Sequence, residues 1–315
     1  MSEQMDEMQC DSNQCVLIVG SVALDTVRTP SGEVEGALGG AAVHSSVAAS
    51  FFSPVRIVGV VGDDFPNVHL EFLKNRRIDL TGLQICPGKS FRWSGYYEGD
   101  LNQACTLSTD LNVFEQFRPA LPPSYCSSQF VFLANIDPDL QLEVLNQVSN
   151  PSLVACDTMN FWIDSKKDAL VEVVRRVDIV FLNDAEARQL TGTTNLIKAA
   201  REILALGPKA VVIKKGEHGA LLFSEDTLFA APSYPIEDLI DPTGAGDSFA
   251  GGFMGYLASA GDVSLSNMRR AIIHGSTLAS YNVQDFSVNR LRTLTWEEIE
   301  ARCEDFRRIS SFDSV

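Results

Sequence analysis

One rhythm constrains this chain above all others: short apolar runs of strand length alternate with patterns of helical period. Runs of the first kind lie at 15–20 (CVLIVG), 55–62 (VRIVGVVG), 129–135 (QFVFLAN), 152–157 (SLVACD), 178–183 (DIVFLN) and 209–216 (KAVVIKKG). Helical patterns fall between them, at 138–148, 165–177 and 196–207. The clearest is LIKAAREILALG, with Leu196, Ile197, Ala200, Ile203 and Leu204 on one face and a Gly207-Pro208 stop. Strands apolar on both sides of the pleat belong in a sheet covered on both faces, and parallel strands need a crossover of helix length. The expected fold class is α/β, with a mainly parallel central sheet covered by helices, and a mostly helical stretch after Asp241.

Two segments break the rhythm. RTPSGEVEGALGG has a hairpin look around Ser31-Gly32, and 83–112 alternates in the strand manner with several turn glycines. Strands from about 23–38 and 83–112 are expected to pair into a small sheet, a lid over the carboxyl edge of the main sheet where open α/β folds bind ligands. With no internal repeat and no long linker, residues 15–315 read as one domain behind an acidic tail at 1–14.

Composition removes several functions. A net charge of −16 repels nucleic acid and anionic lipid. The first residues carry no Lys or Arg, unlike a signal peptide, and the uncharged stretch 36–55 is too polar for a membrane span. Seven cysteines without a CxxC pair argue against a disulfide framework or structural zinc and point to a cytoplasmic protein. The four histidines have no metal-ligand spacing. GLQICPGKS at 82–90 has five residues between its glycines where a P-loop has four, so it is not one.

The most informative stretch is DPTGAGDSFAGGFMGYLASAG, 241–261. Thr243 and Gly244-Ala245-Gly246 make a turn that opens a helix with Phe249, Phe253, Met254 and Leu257 as its apolar stripe. Backbone N–H groups converge at such a start, and the helix dipole favours a phosphate there. Asp247 in the first turn stays a carboxylate and can take a proton from a hydroxyl beside that phosphate, although a favourable acidic residue at a helix start is an equally simple account. Asn183 and Glu186, three apart after the strand DIVFL, read equally as a capping box or as a polar pair at a strand's end. Asp25 ends the first strand, and Gly39-Gly40 opens the first long helix. Together they offer a carboxylate and bare backbone to a ligand, or make a turn aspartate and a tight helix entry.

DPTGAGDSFAGG resembles the C-terminal signature of the ribokinase-like, or PfkB, family of carbohydrate and nucleoside kinases. GSVALD, Gly39-Gly40, FLNDAE and VVIKKGEHGALL extend that resemblance along nearly the whole chain in the family's order. It implies a three-layer fold with a β-sheet lid and an ATP-dependent kinase using Mg²⁺, with room for a monovalent cation. In that family the residue matching Asp247 is the base, and the backbone of Gly244, Ala245 and Gly246 is the anion hole. Asn183 and Glu186 would organise Mg²⁺ and its waters. Lys214, Gly216 and Thr243 would lie by the nucleotide, Ala231 and Pro232 near its base, with His274, Thr277 and Asn282 as a second wall. Asp25, Gly39 and Gly40 would hold the phosphoryl acceptor, with Arg92, Trp93 and Asn112 adding contacts and Asn160 and Trp162 as weaker candidates. Many members carry Asn where this chain has His44, which is expected to serve a substrate hydroxyl in its place.

The expected activity is transfer of the γ-phosphoryl of ATP to a hydroxyl of a sugar or sugar-like polyol. A nucleoside acceptor is the alternative and would need an aromatic clamp for its base; a non-catalytic nucleotide-binding protein is more remote. The only expected partners are a small-molecule substrate and a second copy, docked through the aromatic-rich lid strands that carry Phe91, Trp93, Tyr96 and Tyr97.

Overall fold

The computed structural model describes residues 14–99, 101–225 and 227–311, so all but the last residue of the acidic tail lies outside the described residues. Every strand-length run named above forms a strand of one large sheet. These are β1 (Val16–Val19), β4 (Val55–Gly62), β8 (Phe130–Leu133), β9 (Leu153–Asp157), β10 (Ile179–Asn183) and β11 (Ala210–Lys214). With β5 (Ile78–Cys86), β12 (Ala220–Ser224) and β13 (Thr227–Ala231), the order is β13-β12-β11-β10-β9-β8-β1-β4-β5. All neighbours from β11 to β5 are parallel; β12 and β13 add an antiparallel margin.

The apolar runs are continuous because both faces are covered. Val16 and Ile18 of β1 enter one core, while Leu17 and Val19 enter the other. The first core is closed by α1 (Ala41–Ala49), α8 (Ala245–Ala260) and α9 (Leu265–Asn282). The second is closed by α3 (Pro138–Leu145), α5 (Lys167–Arg176) and α7 (Leu196–Leu204). Phe253 of α8 meets Phe181 of β10 edge-on at 5.2 Å, which ties the helix to the sheet. The small residues of α1 and α8 let their backbones approach closely. A Cβ at Gly251 would stand 2.1 Å from the Ser45 carbonyl oxygen. This approach fixes where the start of α8 lies.

A second sheet has the order β3-β2-β6-β7, built from β2 (Ala23–Thr29), β3 (Gly32–Gly39), β6 (Phe91–Tyr96) and β7 (Cys105–Asp110). Its two hairpins join through a parallel β2–β6 pairing that sets Asp25 beside Trp93. The expected lid segment 83–112 needs one correction. Residues 83–86 are the end of β5, paired in parallel with β4 in the large sheet, and the small sheet takes up the chain only at Phe91. The helical stretch after Asp241 also contains α10 (Asn289–Thr293) and α11 (Trp296–Ser310).

Candidate active site

The carboxyl ends of β1, β9, β10 and β11 and the starts of α1, α8 and α6 (Asp184–Thr191) meet at one edge of the large sheet, facing the small sheet. Gly244 caps α8 at φ +73°, and a Cβ there would lie 2.2 Å from His44 Nδ1, so only glycine fits. The Ala245 N–H bonds the Pro242 carbonyl (3.2 Å) and the Ser248 N–H bonds that of Gly244 (2.8 Å). Among the described residues no backbone carbonyl outside the helix takes the amides of Gly246 and Asp247 between them. Asp241, fully buried, accepts from the amides of Thr243 (2.9 Å) and Ser287 (3.3 Å) and holds the turn from behind. The result is an amide cradle suited to an oxyanion.

Lys214 reaches across the end of β10 to Asp157, with Nζ 2.5 Å from Oδ2 and both side chains largely buried. Burial works against the lysine charge, but Asp157 and Glu186 outweigh it and hold the ammonium above its ordinary value. Burial raises Asp157, and the Lys214 ammonium opposes that and holds the close contact together. The same ammonium faces Glu186 and Asp247. Burial pushes Glu186 up to about 7, opposed by Lys214 and reinforced by Asp157. Asp247 is raised by burial and partly restored by Lys214. Three carboxylates thus share one cation. Among the described residues no group of three or more His, Cys, Asp or Glu side chains is placed to cage a metal alone.

Asn183 and Glu186 form the capping box of α6. The Asn183 Oδ1 accepts the Glu186 N–H (2.8 Å), and the two Glu186 oxygens accept from the Asn183 N–H and Nδ2, each at 2.7 Å. Asp25 is buried and accepts the Gly40 N–H. A Cβ on Gly39 would stand 1.9 Å from its Oδ2, so bare backbone lies against this carboxylate as the glycine pair suggests. Burial pushes Asp25 up to about 7; the Gly40 amide opposes this, and Asp241 and Asp247 reinforce it.

Other sequence expectations change. His44 is 1% exposed. It lies beneath the glycine turn with Nδ1 3.1 Å from Asn282 Oδ1, so it braces the turn and does not line an open site. Asn282 is equally buried, and it also accepts from Ser248 Oγ (3.0 Å) and donates to the Thr243 carbonyl (2.8 Å), so it supports the turn from below. The Arg92 guanidinium is taken by Asp64 at 2.7 Å, and Asn112 donates to the Ser90 carbonyl at 2.9 Å; both sit in the root of the small sheet. His274 stacks on Tyr256 at 4.4 Å, more than two turns along α8 from its start, with one edge on a cavity of about 360 Å³ shared with Phe229, Ile273 and Cys303. Thr277 is buried against Cys303. Gly216 opens a one-turn 3₁₀ helix, and a Cβ on it would meet Asn102 Oδ1 at 2.1 Å, so the β6–β7 loop touches the β11–β12 loop. Asn160 accepts the amide of its neighbour Phe161, and Trp162 donates to Asn135 at 3.1 Å.

The profile of the pfkB family carbohydrate kinases matches residues 11–293, nearly the full length over which the glycine turn, the capping box and the Asp25–Gly39 contact are spread. The chain belongs to the PfkB family. It is a small-molecule kinase, an ATP-dependent phosphotransferase of that family. A cytidine kinase of Thermococcus kodakarensis is 32% identical over 248 residues, covering 76% of this chain and 88% of that protein. The crystal structure of aminoimidazole riboside kinase from Salmonella enterica, in complex with aminoimidazole riboside and an ATP analog, superimposes with a TM-score of 0.73 at 20% identity, over 92% of this chain and 99% of that one. An E. coli protein described as a ribokinase II, in complex with ATP and Mg²⁺, gives a TM-score of 0.77 at 18% identity, over 92% and 99%. The two structures establish the fold.

Sequence reasoning missed Asp157, Asp241 and Tyr97 in this kinase. Asp157 closes the apolar run SLVACD at the end of β9, and an acid at a strand's carboxyl end is the signal that would have found it; Asp25, expected to end the first strand, instead lies inside β2 of the small sheet. Tyr97, read from its neighbours as an edge aromatic, instead turns inward to Thr243. No helix among the described residues is long and apolar enough to cross a membrane.

Proposed function

We propose that the kinase transfers the γ-phosphoryl of ATP to a ribose hydroxyl of a nucleoside. The observation that carries this reading is the inner face of the small sheet. Asp25 and Trp93 are cross-strand neighbours, and the Trp93 indole reaches over Gly95, where a Cβ would be 2.4 Å from its ring. The indole is fixed there by a bond from Nε1 to Thr106 Oγ1 (3.2 Å). A carboxylate for vicinal hydroxyls beside a held aromatic side chain suits a ribose carrying a base. The likeness to a cytidine kinase supports the same class. Sugars and polyols share Asp25 and Gly39-Gly40, but burial of His44 removes the side chain expected to serve a further sugar hydroxyl.

In this reading Asp247 takes the proton of the attacking hydroxyl, and the open amides at the start of α8, Gly246 and Asp247 among them, hold the transferred group. Positioning and charge stabilisation do most of the work in phosphoryl transfer. Mg²⁺ fits a site with three carboxylates to one lysine, and Glu186 and Asn183 would hold its waters. When bound, it supplies charge neutralisation on the phosphates. Lys214 and Thr243 would border the phosphates, and the adenine would lie toward Phe229 and Ile273. The small sheet acts as a lid that excludes water. Cys86, Cys105, Cys126, Cys156 and Cys303 are free thiols, which supports a cytoplasmic site. The exposed edge strand β7 supports pairing of two copies through the lid.

The test uses Trp93 as reporter, with Trp162 and Trp296 replaced by Phe. Quenching by a nucleoside and none by ribose is expected. A response to free sugars but to no nucleoside would overturn the acceptor assignment.

A further inference from the structure

The Tyr97 side chain belongs to no motif of the sequence, yet it crosses from the small sheet to the glycine turn. Its N–H bonds the Arg28 carbonyl at 2.9 Å, continuing the β2–β6 pairing by one residue. Tyr97 therefore falls on the same face as Trp93 and Gly95, the face Asp25 shares across the strand pair, while Tyr96 falls on the other face with Arg28 over its ring. Thr243 Oγ1 donates to Tyr97 Oη at 3.2 Å. The phenol oxygen is an acceptor in that bond, so its own proton points elsewhere. The charged groups that face it are Asp25 on its own sheet and Asp241 and Asp247 on the turn and α8.

From this geometry we infer that Tyr97 is a catalytic residue, the lid's own hydrogen-bond donor to the phosphoryl group in transit. The inference rests on the kinase reading. A hydroxyl one bond from Thr243, between Asp25 and Asp247, spans the path from the anion hole to the acceptor. Three acids already crowd this space, and negative charge added by the transferring oxygens needs donors that bring no further acid. Burial pushes the phenol up to about 12, so it stays protonated and donates at any working pH. In the transfer, the acceptor hydroxyl gives its proton to Asp247 and its oxygen bonds the γ-phosphorus. The bridging P–O bond breaks with its electron pair leaving on ADP. Tyr97 neither gains nor loses a proton. Because it enters from the small sheet, the donor is in place only while that sheet lies over the glycine turn, as it does here.

The test compares the full-length wild type with Tyr97→Phe, which keeps the ring and loses only the hydroxyl. The acceptor is whichever substrate the wild type phosphorylates; a wild type without turnover would count against the kinase reading and not against Tyr97. Expected are a kcat lower by at least about tenfold, the scale of one hydrogen bond to a charged transition state, and a KM for the acceptor and a melting temperature close to wild type. A kcat within about twofold of wild type would overturn the proposal. So would a loss that appears wholly in KM or follows a lowered melting temperature, since a structural lid contact would produce either.

Discussion

Replacing Asp25 by Asn should stabilise this kinase, and more so as the pH rises. The carboxyl is buried and titrates near 7, against 3.8 for a free aspartate. At about 1.4 kcal/mol per tenfold change in proton affinity, that gap corresponds to about 4 kcal/mol. An acid whose affinity for its proton is raised by folding stabilises the fold at low pH. That contribution is lost as the pH climbs from about 4 through about 7, because ionised Asp25 stays buried beside Asp241 and Asp247. Asn keeps an oxygen for the Gly40 N–H and never ionises. Urea denaturation of wild type and Asp25→Asn, run side by side, cancels every other titrating group to first order. The sequence pI of about 4.6 makes acidic buffers impractical. Between about pH 5.5 and pH 8 the stability advantage of the variant should grow by about 2 kcal/mol, the part of the gap that lies in that window. An advantage that stays constant across the window would refute the argument that this carboxylate is held in the fold at an energetic cost. The same variant should lose acceptor binding, since in the proposed function this strained group meets the acceptor.

Asp247→Asn should lower kcat by at least about a hundredfold, the scale of general-base catalysis, while nucleotide binding measured by calorimetry and the melting temperature persist. Glu186→Gln can still cap α6 but has no charge, so the Mg²⁺ concentration needed for half-maximal activity should rise with little change in melting temperature; a lowered melting temperature at unchanged Mg²⁺ dependence would assign Glu186 to the cap alone. Light scattering should find a dimer that Leu107→Asp, on the exposed edge strand β7, converts to monomer.

The large sheet was legible because its signal is local. Alternate residues of each apolar run serve two cores, so the run itself announces a strand covered on both sides. The glycine turn was legible for a similar reason, since Gly244 marks a left-handed backbone within one short motif. What escaped depends on partners far away in the chain. Residues 83–86 alternate like their neighbours at 91–96, and only pairing with Gly59–Gly62 assigns them to the large sheet. His44 stands where the family resemblance places a substrate contact, but the close crossing of α1 and α8 turns its ring under Gly244. Tyr96 and Tyr97 are adjacent aromatics in the sequence, and the register of β6 on β2, some 70 residues earlier, sends one outward and the other to the catalytic centre. Asp157 was within reach, being an acid at a strand's end, but its importance comes from Lys214, which lies 57 residues on.

The most direct test of the account is ADP release by the purified chain with ATP and Mg²⁺, measured over cytidine, uridine, adenosine, guanosine and inosine beside ribose, deoxyribose, fructose and myo-inositol. At least one nucleoside should drive ADP release well above the acceptor-free rate and above every free sugar, and Asp247→Asn should lower that rate at least about a hundredfold. Turnover with a sugar or polyol and none with any nucleoside would contradict the acceptor assignment, and near-normal turnover in Asp247→Asn would contradict the catalytic centre.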